Sequence, residues 1–153
     1  MNIKVRRAVF DDNIQIGELV ASFRNEQNIS YSKDTATETA KNMLKAYSDN
    51  KSNMVFVAEA DDKILGYITV HWIYSVMIPG IEGYVTQLVI SDKARGNGLG
   101  KKLMNIVERK ADEKGAYRLI LNCFKESECY KKDFYKKMSF SERLTHSNFV
   151  KVF

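Results

Sequence analysis

The chain has 153 residues, a length that suits one domain, and its apolar fraction of 44% favours a folded soluble protein over a disordered one. The formal net charge of +5 fits an anionic partner such as a nucleotide, and it fits simple solvation of the surface equally well. The lysine pairs are short and mixed with acids, which excludes a long basic arm.

Cysteine usage excludes the disulfide framework of a small secreted domain, because the chain has only Cys123 and Cys129. Their spacing is not that of a zinc knuckle, and only His71 and His146 are available to complete a set of ligands. We therefore expect a cytoplasmic protein with reduced thiols and no bound metal.

Targeting and membrane segments are not expected either. The N-terminal residues are basic, but Asp11 and Asp12 follow before any apolar run, so the pattern is not that of a signal peptide. Residues 64–81 carry no formal charge and are long enough to be considered as a membrane helix. Gly66, Pro79 and many β-branched and aromatic residues favour two buried strand segments instead.

The first third of the chain predicts one strand and two helices. Apolar and charged residues alternate over residues 2–7, which predicts a strand. Asp11 or Asp12 is expected to cap a helix that extends to about residue 27. The residues expected on its apolar side are Ile14, Leu19, Val20 and Phe23. A second helix is predicted over residues 35–48, and its expected inward residues are Ala36, Ala40, Met43, Leu44 and Tyr47.

The remainder predicts further strands around one clear helix. Strands are predicted over residues 54–60, 64–77 and 84–91, with a tight turn at 61–63 and a break at Pro79. A helix is predicted over residues 98–114, because apolar side chains recur at spacings of three and four, and Gly115 is expected to end it. The last predicted elements are a strand over 117–123, a short helix over 129–138 and one or two closing strands over 139–153. Together these elements predict one α+β domain around a mixed sheet.

The run RGNGLG at residues 95–100 lies between a predicted strand and the clearest predicted helix. The first turn of a helix leaves backbone N–H groups unpaired, and the helix dipole adds partial positive charge there. Glycines let a bulky anion approach that backbone, and Lys101 and Lys102 add charge beside it. These residues predict a phosphate site, with an ordinary glycine turn as the alternative.

Two common nucleotide motifs do not fit this run. A Walker loop requires Gly-x4-Gly-Lys-Ser/Thr, but Arg95 stands at the first glycine position and Lys102 at the hydroxyl position. A dinucleotide fingerprint requires Gly-x-Gly-x-x-Gly, and its third glycine position is Lys101 or Leu103 in the two registers. Both motifs are excluded.

Residues 88–104 instead resemble the coenzyme A loop of the GNAT superfamily of N-acetyltransferases, whose pattern is Arg/Gln-x-x-Gly-x-Gly/Ala. A second segment, FYKKMSF at residues 134–140, is similar to the family's Phe-Tyr-x-x-x-Gly-Phe, with Ser139 at the glycine position. Glu128 stands where many relatives carry Asn, and Asn122 is the candidate for a replacement polar contact. In element order and spacing the resemblance extends from Ile3 to Phe140.

The resemblance implies an acetyl-CoA-dependent N-acetyltransferase, with a mixed, mostly antiparallel central sheet and about four flanking helices in a single domain over residues 1–153. Acetyl-CoA is the implied co-substrate, and a primary amine attacks it directly in a ternary complex without a metal. Main-chain groups of the strand before the loop contact the pantetheine arm, and the loop takes the pyrophosphate. The residues implied to bind acetyl-CoA are Leu88, Val89, Ile90, Arg95, Gly96, Asn97, Gly98, Leu99, Gly100, Lys101 and Asn122.

Catalytic candidates are fewer. Tyr135 matches the acid that the family uses to protonate the departing thiolate, and a core tyrosine is the alternative interpretation. Glu82 is the acid nearest ahead of the loop strand and is the candidate base, although the same position suits a solvated rim acid. His71 is an alternative base, against its interpretation as a satisfied strand histidine. Thr86 and Gln87 are candidates to order a water.

Three functions remain open at this point. The first is an enzyme whose acceptor is a small-molecule or peptide amine. The second is a sensor or interaction module that binds acetyl-CoA without turnover, since no carboxylate lies between Gly83 and Ile90. The third is a nucleic-acid binder, which lacks the clustered basic and aromatic residues that such a site needs. We expect neither a nucleic-acid nor a membrane partner; a homodimer through an edge strand at residues 149–153 is also considered.

Overall fold

The computed structural model describes residues 2–152, which form two compact units divided between Leu121 and Asn122. The strands of unit 1 (residues 2–121) are β1 Lys4–Arg7, β2 Asn53–Ala60, β3 Lys63–Ser75, β4 Gly80–Ile90 and β5 Arg118–Leu121. Its helices are α1 Asn13–Glu26, α2 Lys33–Tyr47 and α3 Leu99–Lys114, with 3-10 turns at Phe10–Asp12 and Asp92–Ala94. Unit 2 (residues 122–152) contains α4 Glu128–Lys131 and a 3-10 turn at Lys136–Met138.

The sheet of unit 1 has the order β1-β2-β3-β4-β5. Its first three pairs are antiparallel, and β4 pairs with β5 in parallel. A parallel pair needs a crossover connection, and α3 provides it between β4 and β5. The predicted fold class, an α+β fold with a mixed, mostly antiparallel sheet and four helices, is confirmed.

Helices cover both faces of the sheet. The cluster that joins α1 and α2 to one face consists of Ile16, Leu19, Ala40, Leu44, Val55, Val57, Ile64, Tyr67 and Val89. Because successive strand residues point to opposite faces, Phe56 and Ile68 point the other way, where α3 contacts β2, β3 and β4. Leu103 and Val107 of α3 are fully buried on that side. The long uncharged stretch is therefore strand, as predicted, and no helix within residues 2–152 has the length and apolarity to span a bilayer.

The start of α1 differs from its prediction. Ile16 is buried, whereas Ile14, expected on the apolar side, is 54% exposed. Asp12 occupies the N-cap position, but its side chain does not cap the helix. Its carboxylate instead accepts two hydrogen bonds from Arg6 of β1, at 2.7 and 2.9 Å, and one from the Val9 N–H at 2.8 Å. Asp12 thus links the start of α1 to β1 through these hydrogen bonds.

The predictions for the C-terminal region are wrong in two respects. The expected helix over residues 129–138 is divided, because Asp133 adopts a left-handed backbone conformation with φ of 54° after a single turn of α4. The expected closing strands do not form within residues 139–152, and Phe153 lies outside the described residues. Phe149, Val150 and Val152 are exposed, so these apolar side chains bury no surface that would favour a strand.

Asp12→Asn is expected to destabilise unit 1 by about 2 kcal/mol at neutral pH, because Arg6 loses one carboxylate partner yet keeps its hydrogen bond to Glu59. Burial favours a higher pKa for Asp12, but the hydrogen bonds from Arg6 and the Val9 N–H outweigh it and hold the pKa below 3.8. This contribution is present above pH 3.8 and is lost as the pH falls through the lower folded-state pKa. Urea unfolding at several pH values measures it.

Asp11→Asn is the matched control, because Asp11 is exposed and carries the same charge one residue earlier. Equal stabilities of the two variants at neutral pH would contradict the role of Asp12.

Candidate functional site

The glycine loop joins β4 to α3 in unit 1. Gly96 and Gly98 have positive φ values of 81° and 75°, a conformation that side chains with a Cβ rarely adopt. Apart from the adjacent residues of the loop and helix, no atom of residues 2–152 lies within 4 Å of the point where a Cβ would stand at either glycine. Gly98 is also the N-cap of α3 and supplies no side-chain cap. The backbone at the helix start is therefore open to a bulky ligand.

The first turn of α3 presents unpaired donors beside this opening. The first intrahelical hydrogen bond of the turn runs from the Lys102 N–H to the Gly98 carbonyl, at 3.0 Å. The N–H groups of Leu99, Gly100 and Lys101 precede it and have no carbonyl partner within the helix. Leu99 is buried and anchors the turn, whereas the Lys101 side chain is exposed. Donors, dipole and charge together suit an anion such as a pyrophosphate.

Two side chains of the loop are engaged within unit 1. Arg95 forms an ion pair with Glu26 of α1, at 2.6 Å, and its Nε donates to the Ile90 carbonyl at 3.2 Å. The Asn97 amide donates to the Ala94 and Arg95 carbonyls, at 3.3 and 3.4 Å. Both side chains thus hold the shape of the loop, which leaves the backbone N–H groups and Lys101 as the groups suited to contact an anion.

The second half of β4 has one unpaired edge. Pairing with β5 ends at Val85 and Leu121, so residues 86–90 of β4 have no partner strand on that side within the described chain. Main-chain N–H and C=O groups need hydrogen-bond partners, and an extended ligand with amide groups can supply them. Leu88, Val89 and Ile90 lie on this unpaired segment, which leads directly towards the glycine loop.

The pairing of β3 with β4 is interrupted at the same place. Thr69 pairs with Gln87 and Val70 pairs with Val85, so Thr86 is an extra residue in the ladder. Gln87 is held by the Tyr67 hydroxyl at 3.0 Å and the Thr69 hydroxyl at 3.3 Å. The bulge thus begins one residue beyond the end of the β5 pairing.

His71 connects this bulge to β2. Its Nδ1 lies 2.7 Å from the Asn53 Oδ1, and its Nε2 lies 2.9 Å from the Thr86 hydroxyl oxygen. The Tyr47 ring of α2 makes an edge contact with the imidazole, at 5.5 Å between centroids. Burial lowers the pKa of His71 below 6.5, which favours the neutral ring. The sequence analysis identified His71, Thr86 and Gln87 as separate candidates. It could not predict that they lie together, because the register shift that brings them together has no recognisable sequence pattern.

The candidate base Glu82 lies towards the start of β4. Its register partner on β5 is Arg118, and the two side chains form an ion pair. The Glu82 side chain is only 12% exposed. Removal of a substrate proton by this carboxylate would disrupt the ion pair, so the geometry favours a structural function, and the role of Glu82 as a base stays a prediction.

Unit 2 contains the candidate acid. Tyr135 packs edge-on against Phe134 and Phe140, with ring centroids 4.9 and 6.0 Å away. Burial, followed by the neighbouring Cys129 and Cys123 thiols, raises the pKa of Tyr135 well above 10, so its hydroxyl keeps its proton at neutral pH. Within residues 122–152 that hydroxyl has no hydrogen-bond partner, and it is therefore free to donate.

Two further residues of unit 2 bear on the sequence pattern. Ser139 adopts φ of 64°, the left-handed conformation that explains why the family pattern has glycine there. Asn122 is the exposed first residue of the unit.

Cys123 and Cys129 are both free thiols, with sulfur atoms 3.1 Å apart. Across residues 2–152 no group of three or more His, Cys, Asp or Glu side chains is arranged to hold a metal ion.

Comparison with known proteins now identifies the family. The model of the acetyltransferase (GNAT) family matches residues 20–140. The chain therefore belongs to the GNAT acetyltransferase family, and its class of activity is acyl transfer. No curated protein sequence gives a significant match.

Solved structures share the fold over nearly the whole chain. A transcriptional regulator from Bacillus halodurans C-125 has a TM-score of 0.84 at 21% identity, covering 99% of this chain and 100% of its own. A ribosomal-protein-alanine N-acetyltransferase from Brucella melitensis biovar Abortus 2308 has a TM-score of 0.77 at 19% identity, covering 99% of each chain. An aminoglycoside acetyltransferase from an uncultured soil metagenomic sample, solved with sisomicin, has a TM-score of 0.74 at 22% identity, covering 98% of this chain and 97% of its own. Identities this low show the fold alone.

Proposed function

We propose that the protein is a cytoplasmic N-acetyltransferase that transfers the acetyl group of acetyl-CoA to a primary amine, by direct attack in a ternary complex. One observation carries the proposal: the open, glycine-lined start of α3 lies directly after the unpaired segment of β4. The first feature suits a pyrophosphate and the second suits the amide groups of pantetheine. Acetyl-CoA contains both groups in that order.

The loop and the strand divide the binding of acetyl-CoA. The pyrophosphate is held by the backbone N–H groups at the start of α3 and by Lys101. Gly96 and Gly98 leave room for it, while Arg95 and Asn97 keep the loop in shape. Main-chain groups of residues 88–90 bind the pantetheine arm, and Asn122 is the further polar contact that we propose.

The chemistry makes three demands on the residues around the thioester. An alkylammonium with a pKa near 10.4 must lose a proton, at a cost of about 4–5 kcal/mol at pH 7 if nothing shifts that pKa. The thioester oxygen gains negative charge, which a backbone N–H near Val89 or Ile90 stabilises. The departing thiolate takes a proton, which the Tyr135 hydroxyl donates. The hydroxyl is protonated at neutral pH, as this role requires, although burial raises its pKa and makes it a weaker acid than a free phenol.

A small-molecule or peptide amine is the proposed acceptor. Two proteins of similar structure are described as acting on an aminoglycoside and on a ribosomal-protein alanine, which represent these two classes of amine. A screen of thiol release from acetyl-CoA over amine classes tests the proposal. Release with one class, but not without an amine, supports an N-acetyltransferase.

A sensor that binds acetyl-CoA without turnover is the second candidate. The ion pair between Glu82 and Arg118 favours it, because the carboxylate nearest ahead of the loop strand is already neutralised. A structurally similar protein is also described as a transcriptional regulator. Binding of acetyl-CoA without thiol release over all amine classes would support the sensor and overturn the enzyme.

Gly98→Glu is expected to abolish acetyl-CoA binding, because its side chain and charge enter the open space at the start of α3. For the unchanged protein, acetyl-CoA at about 100 times its Kd should raise the unfolding free energy by about 2.7 kcal/mol, and Gly98→Glu should lose this gain. Isothermal titration calorimetry and thermal unfolding measure both effects.

Gly115→Glu is the matched control for this prediction. Gly115 ends the same helix, with φ of 61° and equally open space around its Cβ position. Both variants bear the strain of a left-handed residue, but only Gly98→Glu should lose binding. Equal affinities of the two variants for acetyl-CoA would contradict the proposed loop site.

Tyr135→Phe is expected to lower kcat by about 100-fold or more while acetyl-CoA still binds, because the ring packing is kept and only the proton donor is removed. Steady-state thiol release and calorimetry measure the two properties. Tyr130→Phe is the control in the same unit, since the Tyr130 hydroxyl donates to Glu142 instead. An unchanged kcat in Tyr135→Phe would remove Tyr135 from the reaction.

A further inference from the structure

Three polar side chains form a continuous line across the sheet at the bulge of β4. Asn53 of β2 and His71 of β3 are register partners, and their side chains lie 2.7 Å apart. The His71 Nε2 then lies 2.9 Å from the hydroxyl oxygen of Thr86. This arrangement of hydroxyl, imidazole and amide has the spacing of an activated hydroxyl, with a base beside it and a third group that orients the base.

The orientation of the Asn53 amide is the basis for assigning the tautomer of the ring. The atom of Asn53 that faces His71 is the Oδ1, which only accepts, so the Nδ1 of His71 carries the hydrogen. The Nε2 then has a lone pair that can accept from the Thr86 hydroxyl at 2.9 Å. The Thr69 hydroxyl oxygen, at 3.3 Å, is a second acceptor for the same Thr86 hydrogen, and the Nε2 is the nearer of the two. The imidazole is thus held with its basic nitrogen towards β4.

The position of Thr86 in the sheet makes it the end of this line of side chains that faces the proposed ligand. Thr86 is the extra residue of the bulge and the first residue of β4 beyond the pairing with β5. It is also an exposed residue. In the proposed binding mode, pantetheine follows residues 88–90 from the glycine loop, so the acetyl end of the arm arrives at Thr86.

We propose that Thr86 and His71 form a proton relay that removes the proton from the attacking amine; this inference rests on the proposed acetyltransferase function. The amine attacks in its neutral form, after the ammonium has lost one proton to water; as the C–N bond forms, the nitrogen becomes positively charged and its remaining N–H becomes acidic. The Thr86 oxygen takes that proton while its own hydrogen passes to the Nε2 of His71. The C–S bond then breaks, and the thiolate takes the proton that we propose Tyr135 donates. The imidazolium returns its proton to water, and Tyr135 regains one from water.

The surroundings of His71 suit this task. Burial lowers its pKa below 6.5, so the ring is neutral and able to accept a proton at pH 7. The titratable groups around it are Tyr47 of α2, in ring contact, and Tyr84, its register partner on β4. Asn53 and Thr86 are its hydrogen-bond partners, and no carboxylate contacts the ring within residues 2–152. The acid further along β4, Glu82, is paired with Arg118.

The experiment compares His71→Gln, Thr86→Val and Thr86→Ser with the unchanged protein. The amines are sisomicin, a peptide with an N-terminal alanine, and any further amine that gives thiol release in the screen. We expect His71→Gln and Thr86→Val each to lower kcat/KM by about 100-fold or more at pH 7, and Thr86→Ser to restore most of it, since serine keeps the hydroxyl. Acetyl-CoA affinity and thermal unfolding should stay close to those of the unchanged protein.

The pH profile separates a relay from a purely structural role. Protonation of His71 blocks the relay, so kcat/KM of the unchanged protein should fall as the pH decreases through a pKa below 6.5. His71→Gln should lose this acidic limb, whereas Glu82→Gln should keep it. A structural role would lower the rate equally at every pH. Retention of the limb in His71→Gln, or full activity of Thr86→Val, would overturn the relay.

Two controls make the outcomes distinguishable. His146 is the only other histidine of the chain and lies in unit 2, so His146→Gln should keep both rate and acidic limb. Nitrogen NMR reports the same chemistry without turnover: the Nδ1–H tautomer is expected for His71, with an Nε2 shift that moves in Thr86→Val. The opposite tautomer would overturn the relay even in an active enzyme. Absence of thiol release with every amine would instead reject the proposed function and the relay with it.

Discussion

The interruption of β4 is the feature on which the whole candidate site depends. From Glu82 to Val85 the strand is paired on both sides, and beyond Val85 its β5 side has no partner strand within the described residues. An unpaired strand edge inside a sheet leaves a row of main-chain donors and acceptors that require partners. The bulge at Thr86 falls at the same boundary and turns one hydroxyl towards His71. The unpaired edge of β4 and the line of Asn53, His71 and Thr86 side chains thus both result from one interruption of the strand pairing.

The glycine loop depends on the same strand, because β4 delivers the chain to the start of α3. The anion binding that we propose for it relies mainly on main-chain N–H groups, since the Arg95 guanidinium is paired with Glu26 and the Asn97 amide donates within the loop. Fixed main-chain donors need no rearrangement when an anion arrives, and the helix dipole adds to them. The loop needs glycine at Gly96 and Gly98 because φ is positive at both positions and a Cβ would also narrow the approach to these main-chain donors.

Sequence patterns predicted the elements well where burial repeats with a clear period. The alternation in β1 and the spacing of apolar residues in α3 each determine one face, so these elements were found with nearly correct ends. The apolar side of α1 was misplaced, because Ile14 and Ile16 both fit an apolar stripe and only packing against the sheet decides between them. Beyond Leu121 the elements are too short for a periodic pattern to reveal them, and the left-handed backbone at Asp133 interrupts the helix predicted over residues 129–138.

The sequence by itself determined the family and the order of the elements, and it predicted an anion site at residues 95–100, because these properties depend on neighbouring residues and on local backbone freedom. It also marked Tyr135, Glu82 and His71 as separate candidates. Only the tertiary structure decided their surroundings: Glu82 is neutralised by Arg118, and His71 meets a hydroxyl 15 residues away. The physical reason is register. A shift of one residue between β3 and β4 selects which side chains become neighbours, and no local pattern in the sequence encodes that shift.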